Sequence, residues 1–309
     1  MDAPFTLIAN HGSGRKSAER IRALEARLRQ RLPSLQVVRA KHHDEVLTAA
    51  KAARAAARGT VFVAGGDGTQ NAVANILRGS QVAMAALPLG TFNFFARGFE
   101  IPEDPLQAVD ALCDGDLRDC SVGQVNGQVF LNNASLGLYP AILRERETVY
   151  QRWGRSRMAA YWTVLTTVLR PGHGMSLSVT ADGQATHLRT PMIFIGSNPY
   201  QLRMMGLEGA HLPEAGKLAL YYGPERGRFG MLRTALWLAF GKAKRGREFG
   251  MLAGANLELS SRHRHISVAI DGERKRFTLP LKISLMEDAL RIVVPKSAPP
   301  PLSSPGARA

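Results

Sequence analysis

This chain has little cysteine, few acids for its bases, and no apolar run long enough to cross a bilayer. Each shortage excludes something. The two cysteines, Cys113 and Cys120, are too few for a disulfide framework or for a zinc site of their own. They read as reduced thiols of a cytoplasmic protein. The longest apolar stretch, residues 158–169, is closed at 12 residues by Arg157 and Arg170, whereas a spanning helix needs about 20. The N-terminus has neither a basic segment nor a long apolar one, so no secretory signal is expected. Acids number 25 against 40 lysines and arginines, a net charge of +15. That excess favours an anionic partner: nucleotide phosphates, nucleic acid or an anionic membrane surface. No zinc-finger spacing, helix-turn-helix pattern or aromatic RNA-binding signature is present, so no specific nucleic-acid partner is expected.

What is present is an ordinary globular balance, 45% apolar and 21% charged over 309 residues, which excludes wholesale disorder and leaves room for two modest domains. Strand-like runs at 5–9, 35–38, 60–64 and 82–87 alternate with helical patterns: Ile21, Leu24, Leu28 and Leu32, then 46–58, then 71–77. Strand, turn and helix in repetition imply right-handed crossovers and a parallel sheet, hence an α/β N-terminal domain over residues 1–120. Beyond it, short β-type runs at 128–132, 175–180, 191–196, 218–222, 256–260 and 266–270 are separated by turns such as Asp182-Gly183 and Asp271-Gly272. These predict a β-rich, mostly antiparallel second domain over 121–285, interrupted by helical insertions near 153–169 and 228–245. A final strand-like piece at 290–294 fits either domain. Residues 296–309, with four prolines, read as a disordered tail.

The strongest local signal is Gly65-Gly66-Asp67-Gly68-Thr69-Gln70-Asn71, between an apolar strand and a helix. Glycines let backbone N–H groups approach a phosphate unhindered, and a helix N-terminus adds partial positive charge. Asp67 is not a phosphate ligand, but it can hold Mg²⁺ through water or orient loop amides. No lysine is present, so this is not a Walker A loop. Alone, the segment also reads as an idle strand-to-helix turn. Two further polar loops, 10–15 and 88–93, each follow a predicted strand, and loops at the carboxyl ends of parallel strands converge on one crevice. Three such loops favour one polyanion site. Near the end, Asp271-Gly272-Glu273 can project a carboxylate into a cleft, or be a hairpin turn with a solvated acid.

Together these motifs resemble the diacylglycerol-kinase catalytic-domain family, which includes bacterial lipid kinases and sphingosine kinases. The family's Gly-Gly-Asp-Gly-Thr-x-Asn stands at residues 65–71, its Asn-Pro-x-Ser-Gly appears as Asn10-His11-Gly12-Ser13-Gly14, its Pro-Leu-Gly-Thr-x-Asn spans residues 88–93, and its Asp-Gly-Glu is present at 271–273. The resemblance runs from residue 5 to about 295. It implies an N-terminal nucleotide-binding domain similar to those of phosphofructokinases and NAD kinases, joined again by about residues 286–295 from the chain end, and a β-rich domain that presents a lipid acceptor. ATP with Mg²⁺ would place its phosphates on Gly65, Gly66, Asp67, Gly68, Thr69, Gln70 and Asn71. Asn10, Gly12, Ser13, Gly14, Gly90, Thr91 and Asn93 would be further nucleotide contacts. Glu273 would be the general base, and Asp67 would share the catalytic role.

The chain departs from the family at three places. Ala72 stands where a Glu often follows the signature Asn, and Phe94 stands where bacterial members carry an Asp near the acceptor and metal. Ala215, in Glu214-Ala215-Gly216-Lys217-Leu218, replaces the Asp of a structural metal site, so that metal is not expected. Residues 224–250 and 152–169 join lysines and arginines to apolar aromatic segments. That grammar suits peripheral binding to an anionic inner membrane face, and equally suits core helices with solvated basic ends. The resemblance implies an ATP-dependent lipid kinase. A kinase of a soluble hydroxyl compound and a non-catalytic nucleotide or phospholipid sensor remain as alternatives, and the residues point to no particular oligomeric state.

Overall fold

The computed structural model describes residues 4–10, 15–137, 174–223 and 249–298. The helical insertions expected near 153–169 and 228–245, the glycines and serine of the first loop, and the tail from 299 onward lie outside the described residues. The chain divides into two compact units, one built on Met1–Val122 and the chain from Met286, the other on Gly123–Leu285.

In the first unit, β1 (Phe5–Asn10), α1 (Arg15–Arg31), β2 (Gln36–Ala40), α2 (His43–Ala55), β3 (Gly59–Gly65), α3 (Asp67–Leu77) and β4 (Val82–Pro88) alternate, and α4 (Phe94–Gly98) and α5 (Pro105–Cys113) follow. The strands lie in the order β2-β1-β3-β4, all parallel. The last strand of the chain adds a parallel pair, Ile292 with Met84. Every residue of β4 is buried, as are Val61, Phe62, Val63 and Ala64 of β3. Continuous burial is what central parallel strands show when both faces are covered, and Ile21, Leu24, Leu28, Val73 and Leu77 from the helices complete that core. The sequence places the third helix from residue 71, whereas α3 starts at Asp67. Its first turn is thus made from the glycine signature itself, with an acid in that turn to complement the helix dipole.

The first unit is also clasped by charge. Arg27 binds Asp110 through Nε and Nη2, each at 2.9 Å, and Arg31 adds a bond to Asp110 at 3.2 Å and another to Asp114. This ties α1 to α5. Asp104 caps α5 by accepting from the amides of Leu106 and Gln107 at 3.1 and 2.9 Å. The tail expected from residue 296 begins with an ordered turn: the Ala298 amide donates to Pro295 at 2.9 Å, and its carbonyl accepts from Arg118 at 2.7 Å. Cys113 and Cys120 are free thiols, and burial pushes the Cys120 thiol up to about 12.

The second unit continues from β5 (Asp116–Val125), which crosses between the two, through β6 (Gln128–Phe130), β7 (Asn133–Gly137), β8 (Met175–Ala181), β9 (Gln184–Thr190), β10 (Met192–Gly196), α6 (Pro199–Met204), β11 (Leu218–Tyr222), β12 (Gly250–Gly254), β13 (Asn256–Ser260), β14 (His265–Ile270) and β15 (Glu273–Thr278) to β16 (Leu281–Val294). The piece read at 290–294 is the end of β16, a 14-residue strand whose first half pairs with β13 in the second unit. One antiparallel sheet runs β12-β11-β10-β7-β14-β15. Against it packs a second antiparallel layer, β16-β13-β8-β9. Alternate residues of both layers, among them Leu136, Ile195, Leu220 and Ile270 from one and Val179, Leu257, Leu259 and Ile283 from the other, share one buried cluster. That is the inner layer of a sandwich. The opposite face of the six-stranded sheet holds a second cluster, with Phe194, Leu202, Tyr221 and Phe249. Hairpin turns with both central residues at positive φ occur at Asp182-Gly183, Asp271-Gly272 and Asn126-Gly127, the geometry two-residue hairpins favour.

Arg27, through its hydrogen bonds, holds the Asp110 carboxyl below its usual range. A depressed folded-state pKa gives stability that is full above the unfolded value, about 3.9, and is lost as pH falls through the lowered folded value. Asp110→Asn is therefore expected to lower the melting temperature at pH 7, and to differ little from the parent once both are strongly acidified. Scanning calorimetry at the two pH values checks this.

Candidate functional site

The sequence-derived residues fall into two groups, one in each unit. The first is at the carboxyl ends of β1, β3 and β4. At the end of β3, Gly65 is buried, and a Cβ there would lie 2.6 Å from Cβ of Thr69. Gly66 is extended, at φ −86° and ψ −178°. A Cβ on Gly90 would lie 2.6 Å from Cα of Gly66 and 2.8 Å from Oδ1 of Asn93. The β3 and β4 loops therefore touch backbone to backbone, and side chains on both glycines would push them apart. The Leu89 amide donates to the Gly65 carbonyl at 3.2 Å and continues the sheet pairing into the loops.

Other residues fix this contact. Asn93, in the left-handed conformation at φ 50°, brackets Gly90: its Oδ1 accepts from the Gly90 amide at 2.8 Å and its Nδ2 donates to the Gly90 carbonyl at 3.0 Å. An Asn is among the residues that tolerate that conformation best. Asn10, at the end of β1, donates to Oγ1 of Thr69 at 2.9 Å, which joins the first loop to the glycine signature. Asp67 opens α3 and accepts from the Phe95 amide at 3.3 Å, which ties the starts of α3 and α4. The first intrahelical bond of α3 runs from Gln70 N to Gly66 O at 3.0 Å. The amides of Gly68 and Thr69 come before it, at the positive end of the helix dipole.

Gln70 and Asn71 have a different place from the other signature residues. Gln70 is fully buried, and its Nε2 donates to the carbonyls of Gly65 and Leu87 at 3.3 and 3.5 Å. Asn71 is 5% exposed, and both its oxygens accept from Asn75 at 3.0 Å. Both residues support the loop from inside. Thr91 is exposed. Phe92 is 52% exposed and stacks on Phe94 at 5.3 Å between centroids and 9° between planes. Nothing in the sequence reading anticipates that pair, which puts an apolar surface next to the polar loops. Gly12, Ser13 and Gly14 lie outside the described residues.

The second group is the hairpin turn between β14 and β15. Asp271 and Gly272 sit at φ 46° and 89°. The Asp271 carboxylate accepts three backbone amides, from Leu131 at 2.7 Å, Asn132 at 2.8 Å and Asn133 at 2.9 Å. Its own amide donates to the Asn133 carbonyl at 2.9 Å. The turn is thereby locked to the start of β7, and Glu273 follows as the first, exposed residue of β15, opposite Ile270. Beside it lies a buried polar set: Asn133 donates to Gln201 at 3.0 Å, and Asn198 donates to Asn132 at 2.7 Å. An Asp-Gly pair signals the turn, but no sequence spacing signals that this Asp receives three amides. The Glu214-Ala215-Gly216 stretch forms a single 3₁₀ turn (Pro213–Ala215), and Glu214 accepts from Arg203 at 3.2 Å. Among the described residues no group of three or more His, Cys, Asp or Glu is arranged to hold a metal ion.

Residues 4–125 match the model of the diacylglycerol kinase catalytic domain family. A Pseudomonas aeruginosa protein named "Probable lipid kinase YegS-like" is 38% identical over 139 residues, covering 44% of this chain and 45% of that protein. The diacylglycerol kinase of Bacillus subtilis (strain 168) is 45% identical over 80 residues, 25% of this chain and 26% of that protein. In sequence, the chain thus spans less than half the length of the curated relatives it matches. A diacylglycerol kinase from Bacillus anthracis str. Sterne, known from its crystal structure, shares the fold with a TM-score of 0.67 at 14% identity, over 96% of this chain and 98% of that one.

The Gly66–Gly90 contact leads to a direct expectation. Gly90→Ala forces the two loops apart or strains both, and should abolish nucleotide binding while leaving the circular dichroism spectrum unchanged. Calorimetric titration with ATP measures the loss; an alanine variant that binds like the parent would contradict the cradle geometry.

Proposed function

We propose, for a chain that belongs through residues 4–125 to the diacylglycerol kinase catalytic domain family, that it transfers the γ-phosphate of ATP to a hydroxyl of diacylglycerol or a related lipid at a membrane surface. The observation that carries this reading is the backbone contact of Gly66 and Gly90 beside the start of α3. A side-chain-free backbone contact next to a helix N-terminus suits a polyphosphate, because amides can reach its oxygens and the dipole favours its charge. Asn10, Thr69, Thr91 and Asn93, together with Gly12, Ser13 and Gly14, are the further nucleotide contacts of this reading.

Phosphoryl transfer requires positioning and charge neutralisation more than covalent chemistry from the protein. The lipid oxygen forms a bond to the γ-phosphorus, the bond from that phosphorus to the β,γ-bridging oxygen breaks, and ADP leaves. The hydroxyl proton passes to the Glu273 carboxylate, the general base of this reading, which is exposed. Mg²⁺ bound with the nucleotide would supply charge neutralisation at the phosphates. Asp67 would be the residue to hold it, since such sites typically use one or two carboxylates plus the phosphates themselves. The exposed Phe92, stacked on Phe94, favours an apolar acceptor over a soluble polyol. No helix among the described residues is long and apolar enough to cross a membrane, and this reading uses the protein at the cytoplasmic face as a peripheral enzyme.

The test is transfer of labelled γ-phosphate from Mg-ATP to a mixed lipid extract by the parent, Asp67→Ala and Glu273→Gln. A labelled lipid is expected with the parent and none with Asp67→Ala. Glu273→Gln should lower kcat by roughly 10²-fold or more, with KM for ATP unchanged. Label found only in the aqueous fraction would favour a soluble acceptor, and ATP binding without transfer would favour a nucleotide sensor.

A further inference from the structure

Many arginines of the described residues are committed to structure. Arg27 and Arg31 clasp Asp110, Arg29 and Arg39 hold Glu25, Arg54 caps the carbonyl end of α3, and Arg203 meets Glu214. The hairpin of β14 and β15 is different. Its five cations, Arg262, Arg264, Arg274, Lys275 and Arg276, form no ion pair or side-chain hydrogen bond among the described residues, and all but the half-buried Lys275 are exposed. His263 stands between the first two and His265 follows them. The antiparallel register brings the end of β15 to the start of β14, Thr278 opposite His265 and Arg276 opposite Ser267. The loop cations and the strand cations thus lie along one hairpin edge, Arg274 and Arg276 on one face and Lys275 on the other.

Edge protection alone does not account for this strip. β15 is an edge of the six-stranded sheet, and edge strands often carry charge against unwanted pairing. The other edge of the same sheet, β12, has the sequence Gly-Met-Leu-Ala-Gly, without a charge. Among the described residues, the positive charge is local to one edge of this sheet.

We propose that this hairpin edge is a docking surface for an anionic lipid bilayer. A row of uncompensated cations along an exposed strand matches a surface whose negative charge is spread laterally. Single-stranded nucleic acid fits less well, since the strip offers no exposed Phe, Tyr or Trp as a stacking platform: Phe277 packs against the core. Arg274 and Arg276 project on the sheet face opposite the inner core, and Lys275 follows Glu273 on the other. Docking along β15 brings hydroxyl groups at the bilayer surface within a few residues of Glu273. That last consequence rests on the proposed function; the docking surface itself does not.

The test is sedimentation of the full chain with vesicles of phosphatidylcholine, alone or mixed with phosphatidylglycerol, at low salt and without nucleotide. At such a surface each Lys or Arg strengthens binding about fivefold. Arg274→Gln/Arg276→Gln and Arg262→Gln/Arg264→Gln should each weaken binding to the mixed vesicles by about 20- to 30-fold. Arg20→Gln/Arg22→Gln, which removes the same charge from exposed positions of α1, should change it little. The proposal is overturned if both hairpin variants bind mixed vesicles like the parent, or if the α1 variant weakens binding equally. It is also overturned if the hairpin variants lose a duplex DNA oligonucleotide and keep the vesicles. No ATP is present, so loss of vesicle binding in a chain that transfers no phosphate would support this surface and remove the kinase reading alone.

Discussion

The candidate site depends on one steric constraint: two backbones meet where no Cβ is allowed. Gly66 and Gly90 come from loops that follow different strands, and an added methyl on the second would stand 2.6 Å from the first. The parallel sheet brings those loops together, because the carboxyl ends of β3 and β4 share one edge. Once the loops are in contact, α3 begins inside the glycine signature, and its first amides precede any intrahelical partner. Close approach, helix polarity and open amides are therefore consequences of a single packing event. The polar side chains around it serve chiefly to hold that contact: Asn93 brackets Gly90, Asp67 ties α3 to α4, and Gln70 fills the space beneath.

The second unit uses a charge for the same purpose. A carboxylate that receives three amides resists displacement, because each amide would otherwise lose a partner. Asp271 in this way fixes a two-residue turn whose positive φ values already limit its freedom. Glu273, two residues on, is left exposed at the head of a strand whose geometry is set by its neighbour. Of the two acids of the Asp-Gly-Glu segment, one is structural and the other is available for chemistry.

Much of the fold was legible because its signals are local. Apolar runs ending in glycine mark β3 and β4, and Asp-Gly pairs mark two hairpins. β11 and β13 occupy the residues read from the sequence. Other elements were less visible for physical reasons. β15 begins Glu-Arg-Lys-Arg, a polar edge strand without the apolar alternation that betrays strands. The first half of β16 does alternate, Leu281 and Ile283 against Lys282 and Ser284, a strand signal that the sequence reading passed over, and its full length appears through pairing with β13. At the site, residue identities were legible and roles were less so. Gln70 and Asn71 belong to the signature yet point inward, a distinction set by where α3 starts. The Phe92–Phe94 stack depends on the conformation of the loop between them, which the left-handed Asn93 imposes.

The account's central claim is that the glycine loops hold a polyphosphate, and affinity as a function of phosphate number tests it most directly. Calorimetric titrations with adenosine, AMP, ADP and ATP in the presence of Mg²⁺ should show affinity rising along the series, with most of the gain from the β- and γ-phosphates. Equal affinity for adenosine and ATP, or binding of none of the four, would contradict it.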